Sequence, residues 1–296
     1  MRHLTSLVFL SAVFASICVT LWLTETAVAQ QSQPATAATA SAAAVPTWDV
    51  GIMQAVGSKC GYCRLTDQAR ASALGVGLLS SPVADTTPAT YFVNTGSAST
   101  ARQYEVGGGH VTTRDIDGYM SFGVAEGLPP LTADTTSRIP GEAQALALAQ
   151  ALASRLGLPP DEIAGFQTHG LAISGGTILG RVAPTTVGRA VEFHRAVAGY
   201  RVVGSAARFE FGRDGVLKRA LVHWPQFRLK PGMARMRDRA AVLAEIAPKT
   251  NGRAVHELEV VFAQGADGSM APMTLVVTSP PGDVVTVDRA LVPLAE

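Results

Sequence analysis

Leucines at 148, 152 and 156 fall on every fourth position of "EAQALALAQALASRLGLPP", and alanine fills most positions between them. That spacing predicts a helix over residues 142–157 with one apolar face. Gly157 and Pro159 stop it, and Glu142 lies in its first turn, where the helix dipole favours an acid. A second helical pattern runs through "MRDRAAVLAEIAP" and is expected to end before Pro248. A third, weaker one lies in "CRLTDQARASALGVGLL", with Leu65, Ala69, Ala73 and Leu74 at helical spacing.

Between the helices the period changes from about four to two. "TPATYFVNTG", "ARQYEV" and "HVTTRDIDGYMSF" read as short strands, the last interrupted by the turn signal Asp117-Gly118. "EGLPPLTADTTSRIPG" is a proline-rich loop that marks a boundary. In "YRVVGSAARFEF" strict alternation puts Val203, Ala207, Phe209 and Phe211 on one face. Val202, Gly204, Arg208 and Glu210 then take the other. Ala198-Gly199 and Asp214-Gly215 are hairpin turn signals on either side of that strand. After the second helix come "HELEVVFAQ", "APMTLVVTS" and "DVVTVDRALVPL", separated by the turns "GADG" and "PPGD".

The order helix, strands, helix, strands implies an α+β fold, with helices packed on antiparallel sheets. The helix-plus-meander unit occurs at residues 140–230 and again at 231–296, with a weaker trace near 64–106. Residues 47–139 form a β-rich N-terminal region. Ahead of it, Gln30 to Pro46 is rich in Ala, Ser, Thr and Gln, carries no charge and reads as a disordered tether. Residues 1–29 read as a signal peptide: Arg2 and His3, an apolar run from Leu4 to Leu23, and a small-x-small site, Ala27-Val28-Ala29, before Gln30. The apolar run is also long enough to serve as an uncleaved anchor. Ile17 stands where a lipoprotein signal needs a small residue, so Cys18 is not a lipidation site.

One passage carries a family resemblance. In "VEFHRAVAGYRVVGSAARFEFGRDGVLKRALVHWP", Arg195, Gly199, Val202, Val203, Gly204, Asp214 and Gly215 follow a helix in a fixed order. This phrase resembles the PepSY and FTP-like domains of secreted bacterial proteins and of thermolysin-like protease propeptides. The resemblance covers about 85 residues, Pro140 to Trp224, and extends loosely to the C-terminus. It implies repeated PepSY-like (cystatin-like) helix-plus-meander modules that act by binding or inhibition. The implied partner is a protein or peptide, such as a secreted protease or an envelope protein. No HExxH follows, so the chain is not itself a protease proenzyme.

Composition narrows the chemistry. With 296 residues, a formal net charge of +1 and 16% charged residues, the chain has no electrostatic footprint for nucleic acid. It meets membrane only through an uncleaved signal. His3, His110, His169, His194, His223 and His256 form no H-x-x-x-H or H-x-H pair, and no metal is expected. "GGGH" lacks the phosphate-loop spacing, and no G-x-S-x-G elbow supplies a serine nucleophile. Asp115 and Asp117 of "DID" cover only part of a calcium loop. No cofactor motif is present.

"CGYC" is the remaining motif. Cys60 and Cys63 are the pair left once the signal is removed, and in an oxidising compartment a disulfide is their default state. As a staple, so short a loop contributes roughly 2 kcal/mol in the chain-entropy view. The alternative is redox catalysis. "CGYC" resembles the active-site phrase of periplasmic disulfide isomerases of the thioredoxin superfamily. At a helix N-terminus the Cys60 thiolate would be favoured, and Thr87-Pro88 resembles the strand that faces the cysteines there. Only 24 residues separate Cys63 from Pro88, however, too few for that fold's helix, strand and helix. The reading is therefore an exported, non-enzymatic PepSY-like binding or inhibitory protein of the periplasm or exterior. A thiol–disulfide oxidoreductase using Cys60 and Cys63 is its rival.

Overall fold

The structure is a computed structural model. It describes residues 60–77, 79, 83–85, 101–106, 109–114, 118–124, 138–173, 176–177, 180–181, 185–233, 235–265, 267–282 and 286–296. The expected signal at 1–29, the tether at 30–46, Thr87-Pro88, "VNTG" and the Asp115/Asp117 pair lie outside the described residues.

Three α-helices occur among the described residues: α1 (Asp67–Ala73), α2 (Glu142–Arg155) and α3 (Arg239–Thr250). The strands are β1 (Val83–Asp85), β2 (Ala101–Val106), β3 (Gly109–Arg114), β4 (Tyr119–Val124), β5 (Ile163–Ile173), β6 (Gly176–Thr177) and β7 (Gly180–Arg181). They continue with β8 (Thr185–Val197), β9 (Tyr200–Phe211), β10 (Leu217–His223), β11 (Ala254–Gln264), β12 (Met270–Ser279) and β13 (Asp288–Pro293). The fold is mixed α+β. All strands but the β6–β7 pair belong to one open sheet, in the order β1-β2-β3-β4-β10-β9-β11-β12-β13. β8 lies along the other edge of β9, and β5 lies beyond it. Among the described strands every pairing is antiparallel except a short parallel junction of β9 with β11 at residues 201–203 and 261–263.

Two cores occupy this sheet. In the first, Leu152 and Leu156 of α2 pack with Val191 and Phe193 of β8 and with Ala207, Phe209 and Phe211 of β9. The rings of Phe193 and Phe209 meet edge to face at 6.2 Å, the arrangement their quadrupoles favour. Ala145, Ala149 and Ala153 are also buried, so the α2 backbone approaches the sheet closely. Leu148 is only partly buried, at the rim. A Cβ on Gly215 would come within 2.8 Å of its Cδ1, so Leu148 packs against the β9–β10 turn. In the second core, Val242 and Ile246 of α3 pack with Val202, Phe227, Val260, Phe262 and Val276. Phe227 and Phe262 meet edge to face at 4.8 Å.

The alternation expected for β9 breaks at Gly204. Phe209 and Phe211 face α2, but Val202, not Val203, is the fully buried valine, and it belongs to the second core. Val203 packs on the opposite side with Val261 and Leu275. The cause is a bulge. His194 pairs with Ala206 and Ala196 with Arg201, so residues 202–205 stand opposite Arg195 alone. Gly204 takes φ 76° there, a conformation glycine reaches without a Cβ penalty. The strand turns through the bulge, leaves β10 and joins β11.

Helix ends also differ from expectation. α3 continues through Pro248 to Thr250. Pro248 stands in the last turn, where it forgoes the one ladder bond its N–H would have given to Ala244 O. Asp238 caps the start of α3 by accepting from Ala241 N–H at 3.3 Å. "CGYC" does not open α1. It forms a separate 3-10 turn, Tyr62–Arg64, and α1 begins after the N-cap Thr66.

Candidate functional site

Cys60 and Cys63 form a disulfide. Cys60 is 2% exposed and Cys63 is half-buried against the first core. The turn docks on the C-terminus of α2. Gly157 ends that helix with φ 68°, and the Leu158 and Gly157 amides bond back to Ala153 O and Ser154 O, a Schellman cap. Tyr62 N–H donates to Gly157 O at 3.1 Å. A Cβ on Gly61 would stand 3.0 Å from that same oxygen, so a larger residue there would push the two backbones apart by a few tenths of an ångström. Cys63 Sγ lies 3.4 Å from Trp224 O.

Beyond Trp224 is a buried polar cluster. Arg195 is completely buried, and its Nε donates to Glu162 Oε2 at 2.7 Å. Its Nη1 donates to Pro225 O at 2.7 Å. Trp224 Nε1 donates to the same Glu162 oxygen at 3.2 Å, and the guanidinium lies 5.2 Å from the Trp224 ring. Ser205 Oγ donates to His223 O at 2.9 Å. Burial pulls the Arg195 pKa below its ordinary value, against the opposing charge of Glu162. Arg195 thus fills the β9 bulge and joins the end of β10 to the turn after α2. This corner couples the two cores.

A second cluster holds the N-terminal strands. Asp67, in the first turn of α1, accepts at Oδ2 from Arg102 Nε at 2.9 Å, Tyr104 O–H at 2.5 Å and Thr113 O–H at 2.9 Å. Burial alone would raise the Asp67 pKa, but the bonds from Tyr104, Arg102 and Thr113 outweigh it and hold the carboxyl below its usual value. Burial and the Asp67 charge raise the Tyr104 pKa. Arg70 lies 4.5 Å over the Tyr62 ring, so α1 also clamps the disulfide turn.

The other singled-out residues fall elsewhere. Ala198 and Gly199 form the β8–β9 turn, both with positive φ, and Asp214 and Gly215 form the β9–β10 turn. Asp214 accepts two bonds from the Arg138 guanidinium. His194 and Arg195 point to opposite faces: Arg195 is sealed, while His194 is about one-third exposed and lies 3.8 Å from Glu192. His110 is exposed, His169 is half-buried, His223 bonds through Nδ1 to Gly204 O, and His256 bonds to Ser279 Oγ at 2.8 Å. Among the described residues no three His, Cys, Asp or Glu side chains are placed to hold a metal. None of their helices is long and apolar enough to cross a membrane.

Sequence reasoning singled out Arg195 but missed its partner. Glu162 reads as an ordinary acid in "PPDE", and nothing local marks it for burial 33 residues from Arg195. Asp67 was missed for the same reason.

No protein-family model matches the chain, and no curated protein does. Among solved structures the chain is similar to the Bacillus megaterium YpeB C-terminal domain, at 10% identity and a TM-score of 0.32. The match covers 78% of this chain and 93% of that one. So distant a likeness carries no argument about activity or partner.

Proposed function

We propose that this chain is an exported, non-enzymatic PepSY-like protein of the cell envelope that works by binding or inhibition. In this reading residues 140–230 and 231–296 are two helix-plus-meander modules. They follow a β-rich region at 47–139, the tether at 30–46 and a cleaved signal at 1–29. The observation that carries the reading is the state of its most reactive-looking groups. Cys60 and Cys63 are closed on one another with Cys60 2% exposed, and Arg195 and Glu162 are sealed against each other. These groups hold the fold together. Among the described residues strand edge is open at β5, which pairs only with β8 and is the longest strand at an end of the sheet. An extended segment of a protein or peptide partner adds there as a further strand.

The oxidoreductase alternative needs Cys60 as an accessible nucleophile on a helix dipole. The burial of Cys60 and the three-residue 3-10 turn that follows it support a staple instead. The test has two arms. Thiol titration of the exported protein should find no free thiol, and an insulin-reduction assay should show no turnover. Turnover that disappears in Cys60→Ser overturns the non-enzymatic reading. Immobilised protein should retain a polypeptide of its own compartment and lose it in the edge variant Gln167→Lys/His169→Lys. Capture of nothing by either protein removes the binding role. N-terminal sequencing should begin at Gln30.

A further inference from the structure

The β5 edge differs from the sheet's other free edges. β1 has three residues, and β13 carries Asp288, Arg289 and a terminal Pro293, the usual protections against edge-to-edge pairing. β5 runs eleven residues, Ile-Ala-Gly-Phe-Gln-Thr-His-Gly-Leu-Ala-Ile, with no Asp, Glu, Lys, Arg or Pro. It also carries the large exposed side chain of Phe166, 51% accessible in the folded chain. The pairing of β5 with β8 shifts register between Ile163 and Gly165 and between Leu171 and Ala172. Residues 165–171 are therefore the straight part of the edge.

About Thr168 the strand ends match, Ile163 with Ile173 and Ala164 with Ala172, and the inner positions pair Phe166 with Gly170 and Leu171 with Gly165. We propose that β5 pairs antiparallel with β5 of a second copy of this chain, about a two-fold axis through Thr168. This rests on the strand-accepting role of the edge and names its occupant. In that register Gln167 faces His169 of the other copy, Phe166 faces Gly170, and Gly165 faces Leu171. Ala164 then meets Ala172, and the register runs out to Ile163 and Ile173.

Phe166 and Leu171, the two large apolar side chains of the straight segment, thus each meet a glycine, twice over by symmetry. Gly165 and Gly170 have nothing within 4 Å of where a Cβ would be, so the space an incoming side chain needs is open. An aromatic ring packed across a cross-strand glycine covers backbone that glycine leaves bare. The interface places no like charges opposite one another, which in antiparallel pairs is destabilising. Moving the axis to Gln167 sets Phe166 against Thr168 and Leu171 against Ile163, and loses both large-on-glycine matches. Moving it to Phe166 sets the two rings directly against one another. A closed two-fold pairing also uses up the edge, which an open, non-symmetric contact leaves free to grow.

Sedimentation velocity on the exported protein over a wide concentration range tests this. The sedimentation coefficient should rise from monomer to dimer and stop there. Gln167→Lys/His169→Lys sets lysine against lysine twice across the axis and should weaken the dimer about tenfold or more. Gln167→Glu/His169→Lys sets opposite charges together and should restore it, and both variants should keep the wild-type melting temperature at concentrations where the wild type is monomeric. Thr168→Cys should cross-link as a covalent dimer under mild oxidation. Three outcomes overturn the proposal: a monomer at every concentration, a dimer that both charge variants leave unmoved, or continued growth beyond the dimer. A monomer that still captures a foreign polypeptide, and loses it in the double-lysine variant, overturns self-pairing but leaves the edge-binding role standing. A monomer that captures nothing overturns both.

Discussion

Removing the Glu162 carboxylate should be among the most damaging single changes in this chain. Arg195 is 0% and Glu162 7% exposed at the side chain, so water screens the pair little. Taking away one partner leaves the other charge buried, with only neutral acceptors such as Pro225 O. A buried pair broken on one side costs about 3–5 kcal/mol, against a total stability of about 5–15 kcal/mol. Glu162→Leu and Arg195→Met should each lose that much. The double variant leaves no uncompensated charge. Its remaining losses are the neutral bonds of Trp224 Nε1 and Pro225 O, about 1–3 kcal/mol where a buried polar group goes unsatisfied. The double should therefore be several kcal/mol more stable than the sum of the singles. Urea unfolding measures all four proteins, followed by tryptophan fluorescence and far-ultraviolet circular dichroism together. Additive losses, or singles that cost under about 1 kcal/mol, refute the argument, because a buried charge cannot be that cheap to strand.

Three further outcomes follow from the same structure. Leu152→Ala empties a buried site under α2 and should cost about 2–5 kcal/mol in a thermal or urea melt, whereas exposed Gln150→Ala should change stability by less than about 0.5 kcal/mol; equal melting points would reject the helix-on-sheet packing. Asp67 has its pKa depressed on folding, so its stabilisation is present above the unfolded value of about 3.9 and is lost as pH falls through the lower folded value. Urea midpoints of wild type and Asp67→Asn should differ most near neutrality and converge in acid; a constant gap would refute it. Ala198 takes φ 52° in the two-residue β8–β9 turn, so Ala198→Gly should stabilise by about 0.5–1 kcal/mol in the same assay, and a loss would show that Ala198 bears no strain there.

What the sequence determined by itself were features that depend on near neighbours along the chain. The leucine spacing and Gly157 define α2 and its end. Asp214-Gly215 and Ala198-Gly199 define hairpins, because so tight a turn with positive φ suits few residues. The tertiary structure decided where segments distant in the chain meet. Strict alternation assigned Val203 to the α2 face, but the bulge at Gly204 sends Val202 into the second core and Val203 to the other side. Nothing in "PPDE" tells that Glu162 will be buried on Arg195, since the cost of burying a charge is settled only once its partner arrives. Nor does "CGYC" tell that its turn will close against the last turn of α2, where Gly61 and Gly157 meet backbone to backbone. Period and propensity are local, and they choose the elements. Burial, pairing and the worth of a charge depend on which surfaces come together, and only the assembled sheet decides that.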